Sequence, residues 1–136
     1  MKPLRLVSII GLGAFLCSAV LLFGAPVEHG FGVKQYDDFH RVLHPLEHEA
    51  LPKGDFPRIR ANSGQLIKHG KAIVKLGVPR RKRPERVSEF KKELDKFNKA
   101  LVKFGIDAKS GTDEQLKTSY SAVHESFETL AGMLPR

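Results

Sequence analysis

The sequence predicts an all-α fold, an up-down-up-down four-helix bundle that follows an N-terminal signal peptide. Three observations predict it. Apolar residues recur at three- and four-residue steps over four segments, cap and turn residues separate those segments, and no segment alternates strictly enough to argue for a strand. The chain has 136 residues, enough for one such domain.

The third helix has the clearest pattern. Val87, Phe90, Leu94, Phe97, Leu101 and Phe104 share one stripe, and lysines and acids fill the other faces. Pro84 suits its first turn, and Gly105 suits its C-terminal cap. The fourth helix begins at Thr112, with Gln115 three residues on, the spacing of a capping box. Leu116, Tyr120, Val123, Phe127, Leu130 and Leu134 form its apolar stripe, and Pro135 ends it. The second helix starts near Asp55, a good N-cap, with Pro57 in the first turn. Ile59, Leu66, Ile73 and Leu76 mark its inner face, and Gly77 and Pro79 close it. In the first helix Phe39, Leu43, Leu46 and Ala50 step by four, three and four. Pro45 lies inside that pattern, removes one backbone hydrogen bond and crowds the Arg41 carbonyl, so a kink or break is expected there. Leu51-Pro52-Lys53-Gly54 is the turn into helix two.

The first 25 residues differ in kind. Lys2 and Arg5 precede an uncharged, largely apolar stretch over residues 6–25. A short basic region before an apolar stretch is the pattern of an export signal. Cleavage is expected after Ala19 or near Gly24 and Ala25, although Pro26 would be awkward just after the cut. The same length would also serve as an N-terminal membrane anchor. Cys17 is a poor lipoprotein cysteine, because Leu16 stands where a small residue is wanted. Either way, residues 26–136 form the bundle and are expected outside the cytoplasm, in the periplasm of a Gram-negative cell.

Lysine plus arginine total 23 against 15 acids, a formal net charge of +8. The longest link, residues 78–86, holds Arg80, Arg81, Lys82 and Arg83 between two prolines. It reads as a solvated charged loop or as a docking patch for an acidic protein partner or anionic lipid heads. Nucleic acid is a poor partner for an exported protein. The single cysteine excludes an intrachain disulfide, a Cys-rich zinc site and the CxxCH haem-attachment motif. The phosphate-loop, dinucleotide, zincin and esterase signatures are also missing. No catalytic residue stands out, and a binding protein rather than an enzyme is expected.

The six histidines carry what chemistry there is. His40, His44 and His48 are spaced i, i+4, i+8, a slanting row on one side of helix one. Imidazoles one turn apart can share a metal ion, although Pro45 is expected to disturb the step from His44 to His48. His124 lies within the apolar stripe of helix four, beside Tyr120 and Phe127 in projection. A buried imidazole there needs a hydrogen bond, a metal or a haem iron as partner. His69 takes a core-facing step between Leu66 and Ile73 unless Gly70 takes it instead. His29 is assigned no role.

Helix four resembles the last helix of the periplasmic four-helix-bundle cytochromes, the c-prime type and its soluble b-type relatives. The likeness rests on Glu114-Gln115-Leu116-Lys117-Thr118, Ala122, His124 and Phe127. The resemblance implies that His124 is an axial haem ligand followed by an aromatic three residues later. In b-type members a second ligand comes from early in helix one, which corresponds to His40. Two cysteines of the c-type motif are missing, at Tyr120 and Val123, so covalent haem c is excluded. His40 stands where b-type members usually offer methionine. Tyr120 and other large side chains compete for the haem space. The resemblance therefore implies a non-covalent haem b or a transition-metal ion held by His40 and His124, in electron transfer or metal handling. Two other readings stay open: a cofactor-free bundle acting as an interaction module, and a copper- or zinc-buffering protein that uses His40, His44 and His48.

Overall fold

Thr112 and Gln115 cap helix four reciprocally. The Thr112 N–H donates to Gln115 Oε1 at 2.9 Å, and the Gln115 N–H donates to Thr112 Oγ1 at 3.2 Å. Two otherwise orphaned amides are thereby satisfied and the helix start is fixed. The same logic starts helix two, where Asp55 Oδ1 accepts the Arg58 N–H at 3.1 Å. In the computed structural model, which describes residues 30–79 and 86–135, four α-helices result: α1 Lys34–Pro45, α2 Phe56–Leu76, α3 Val87–Ser110 and α4 Asp113–Gly132. Among the described residues there is no strand. The described residues form an all-α four-helix bundle. The basic start, Cys17, the apolar residues 6–25 and the Arg80, Arg81, Lys82 and Arg83 loop lie outside the described residues. Among the described residues no helix is long and apolar enough to cross a membrane.

The stripes converge on one core. Phe39, Leu43, Leu46 and Ala50 from the first helical segment, and Ile59, Leu66 and Ile73 from α2, are buried. So are Phe90, Phe97, Leu101 and Phe104 from α3, the five stripe residues within α4, and Leu134 just beyond its end. Two members of the α3 stripe are less buried than the pattern predicts. Leu94 is half-buried against the core, and Val87, in the first turn, is exposed.

Gly105 is not a helix cap. α3 runs on to Ser110, and Gly111 ends it, its N–H bonded to the Asp107 carbonyl at 2.9 Å. Gly105 instead lets α2 and α3 approach: a Cβ there would lie 3.1 Å from Ile67 Cδ1. Gly70 does the same more severely, with a notional Cβ 2.6 Å from Leu101 Cδ1. It is Gly70 that takes the core-facing step of α2, while His69 is half-buried beside it. Arg60 ties the near ends of three helices together. Its guanidinium donates to the carbonyls of Asp107, Ala108 and Gly111 and to Asp113 Oδ1, at 2.9–3.1 Å. A cation on the carbonyls of a helix C-terminus complements both their remaining lone pairs and the helix dipole.

The α winding ends at Pro45, where a kink or break was expected, but the chain stays helical. α1 ends on Pro45 and passes directly into a π-helical turn, Leu46–Ala50, and then a 3-10 turn, Leu51–Lys53. Proline lacks the N–H that the Arg41 carbonyl would take, and the chain answers by widening its winding. At the far end of the turn the Leu51 N–H reaches five residues back, to the Leu46 carbonyl. Gly54, at φ 65°, then reverses the chain into Asp55.

Candidate metal site

The widened turn preserves the histidine row. The ring centroids of His40 and His44 are 5.2 Å apart, and those of His44 and His48 are 4.4 Å apart. The expectation that Pro45 would disturb the second step is therefore reversed, since that step is the closer one. His44 and His48 are exposed and His40 is half-buried. His40 stands between the row and the core, edge-on to Phe31 at 5.4 Å and nearly parallel to Phe127 at 6.2 Å. Phe31 is held in place because its N–H donates to Asp37 Oδ1 at 2.7 Å.

Two ring nitrogens bound tetrahedrally to one zinc-sized ion, each about 2.0–2.1 Å from it, are about 3.4 Å apart. The His44 and His48 ring centroids, 4.4 Å apart, are close to that spacing. The site is a chain of two-histidine pairs and not a closed cage. Among the described residues, no three or more His, Cys, Asp or Glu side chains form a group that could hold a metal ion.

His124 is not enclosed by the core. Its neighbours Tyr120, Val123 and Phe127 are fully buried, whereas its own side chain is 30% exposed. Its Nε2 lies 3.8 Å from Glu128 Oε1, one turn along. Among the described residues it shares no ring contact with His40. Between α1 and α4 lie the rings of Tyr36, Phe39, Tyr120 and Phe127, all fully buried. Phe127 packs 4.7 Å from Phe39 and 5.9 Å from Tyr36. A planar haem between His40 and His124 would have to displace these rings, so the residues present fit a bare ion better than a macrocycle.

One residue beneath the row escaped the sequence reading. Glu47 lies between His44 and His48 in the π turn and turns inward, its Oε2 buried with no hydrogen-bond partner among the described residues. Its carboxylate lies near the Tyr120 hydroxyl, which donates to the Leu43 carbonyl at 3.3 Å. Burial first, and the Glu47 charge second, push the Tyr120 phenol above its ordinary range. An acid within a histidine row was the available signal, but helical projection with 3.6 residues per turn misplaces residues once the winding widens. No family model, curated protein or solved structure matches the chain.

Proposed function

We propose that the chain is an exported up-down-up-down bundle that handles a transition-metal ion through the histidines of its first helical segment. The carrying observation is the 4.4 Å separation of the His44 and His48 rings, with His40 next in line at 5.2 Å. Neutral imidazole suits copper, zinc and nickel, and among divalent ions the affinity order favours copper(II). Two exposed ligands leave coordination positions open to water or to a donor from another molecule. That suits capture and release of an ion more than permanent storage. His40 extends the row, so an ion can pass between adjacent pairs. The reading is of a metal-handling protein and not an enzyme. Electron transfer through a haem held by His40 and His124 is the lesser reading, given the rings between α1 and α4.

The test is titration of copper(II) and zinc into the protein purified after expression of the full chain, alongside His44→Ala, His48→Ala and His124→Ala. Loss of His44 or His48 is expected to weaken binding by at least the roughly 10–100-fold that loss of an outer-shell partner costs. His124→Ala is expected to bind as wild type does. Tight binding by both row variants would overturn the proposal. Weakening by His124→Ala alone would move the site to the His40 and His124 pair.

A further inference from the structure

The face formed by α2 and α3 is chemically unlike the rest of the bundle. α2 carries Arg58, Arg60, Lys68, Lys71 and Lys75 and no acid, while α4 carries Asp113, Glu114, Glu125 and Glu128 against Lys117 alone. Along the α2–α3 seam lies a groove of about 270 Å3, lined by Ile67, Leu101, Val102, Gly105 and Ile106, with Lys71 and Lys109 at its margins. Val102 and Ile106 stand one turn apart on α3 and are 56% and 55% exposed. Solitary exposed apolar residues are ordinary, but a pair of β-branched side chains edging a concave apolar groove is a contact surface. The neighbouring Lys99 and Lys103 are ion-paired with Asp95 and Asp107. Lys71 and Lys109 are ion-paired with nothing among the described residues.

We infer that this groove docks an acidic amphipathic helix presented by a partner protein. Its apolar ridge would enter between Ile67 and Ile106, and its flanking carboxylates would meet Lys71 and Lys109. The shape decides against a flat bilayer, which cannot enter a groove whose floor is Gly105 and Leu101. The charge decides against the same face of a second copy, which would set Lys71 and Lys109 against their own likes. The inference stands apart from the metal reading, since none of the histidines of the row lines the groove.

The experiment uses 15N-labelled protein purified after expression of the full chain. Two probes are added: a helical 18-residue peptide with leucines on one face and glutamates flanking them, and its twin with lysines for glutamates. The acidic peptide is expected to shift the amide signals of Ile67, Lys71, Val102, Gly105, Ile106 and Lys109, and the basic twin to leave them unmoved. Lys71→Glu combined with Lys109→Glu is expected to weaken the acidic peptide about tenfold or more and to gain affinity for the basic twin, as complementary charge sets specificity. Val102→Asp, at an exposed position, is expected to abolish binding with an unchanged helical circular dichroism spectrum. Absence of shifts up to millimolar peptide would overturn the inference. Equal binding of both peptides would do so as well. So would shifts of the same amides produced by phosphatidylglycerol-containing vesicles and not by the peptide.

Discussion

The two seams on opposite sides of this bundle are built by opposite means. Between α2 and α3, Gly70 and Gly105 remove side chains so that Leu101 and Ile67 can sit against backbone. Between α1 and α4, the backbones stay further apart and Tyr36, Phe39, Tyr120 and Phe127 fill the space. Interaxial distance follows the side chains at the contact, so one core holds a close seam and a wide one. The difference also sorts the surface chemistry. The wide seam has the histidine row and Glu47 at its edge, and the close seam has a basic face and an apolar groove. Truncating a ring therefore tests the wide seam, and adding a side chain at Gly70 tests the close one.

The strongest way to break that contrast is to empty the wide seam. Phe127 touches four rings, with centroids 5.5 Å from Phe31, 5.9 Å from Tyr36, 4.7 Å from Phe39 and 6.2 Å from His40. Phe127→Ala is expected to cost about 3–5 kcal/mol in urea unfolding, the range for a buried aromatic truncated to alanine. Because His40 packs on that ring, the variant is also expected to loosen the first member of the metal row. A loss under about 1 kcal/mol would mean that the rings do not hold the seam apart.

Addition should hurt the close seam instead. Gly70→Val places atoms where Leu101 Cδ1 and Cδ2 already sit, 2.6 and 2.7 Å from a bare Cβ. Overpacking of that kind costs about 1–3 kcal/mol. Gly64, in the same helix, has nothing within 4 Å of a notional Cβ. Gly64→Ala is expected to stabilise by about 0.4–1 kcal/mol, because a helical glycine surrenders more backbone freedom than alanine does. The thermal melts of the two variants are expected on either side of wild type, and melts on the same side would end the contrast.

The two buried tyrosines separate filling from hydrogen bonding within the wide seam. Tyr120 donates to the Leu43 carbonyl, in the turn before Pro45, while the Tyr36 hydroxyl has no partner among the described residues. Tyr120→Phe is expected to cost about 1 kcal/mol, the net worth of a typical hydrogen bond. Tyr36→Phe keeps the ring and is expected to leave the unfolding midpoint equal or higher. The reverse order would show that the phenol oxygens do not divide as the contacts indicate.

These contrasts bear on what the sequence could reveal. The stripes of α3 and α4 and the caps at Asp55 and Thr112 follow from local rules, spacing and hydrogen-bond chemistry between near neighbours, and the fold follows those rules. Gly105 and Gly70 do not, because a glycine that ends a helix and one that admits a neighbouring helix are the same letter. Only the far side of the seam, Ile67 or Leu101, tells them apart. His124 misled for a related reason. It is next to Val123 in sequence and one turn from Tyr120 and Phe127, yet a small rotation about the helix axis puts its ring at the rim beside Glu128. Pro45 was legible in part. A proline rule built for α-helices predicts a kink or break, and the α winding does end there, but widening by one residue keeps the chain helical and leaves His48 close to His44. The histidine row was legible as spacing, but its geometry depended on a turn the spacing could not specify.

The smallest expected effect concerns acid, and it probes the side of the molecule where α3 meets α4. Asp107 is a buried acid near the end of α3, with Lys103 Nζ at 2.5 and 2.6 Å from its two oxygens. That hydrogen bond, first among its causes, holds the carboxyl below the usual aspartate range. Burial opposes it, and Ser119 and Arg60 add to it. A folded-state value below the unfolded one stabilises the fold above the unfolded pKa, about 3.9 for aspartate. The contribution fades as pH falls through the folded value, because the unfolded chain then binds the proton first. Urea midpoints of wild type and Asp107→Asn are therefore expected to differ most above about pH 5 and to converge as the pH falls through the folded value. Asp38 is lowered in the same way, chiefly by its hydrogen bond from Lys34. Some acid dependence should therefore survive in the single variant and shrink further when Asp38→Asn is added. A gap between wild type and Asp107→Asn that stays constant from pH 7 to pH 3 would mean the residue acts by shape alone. The lysine beside it would then be a bystander.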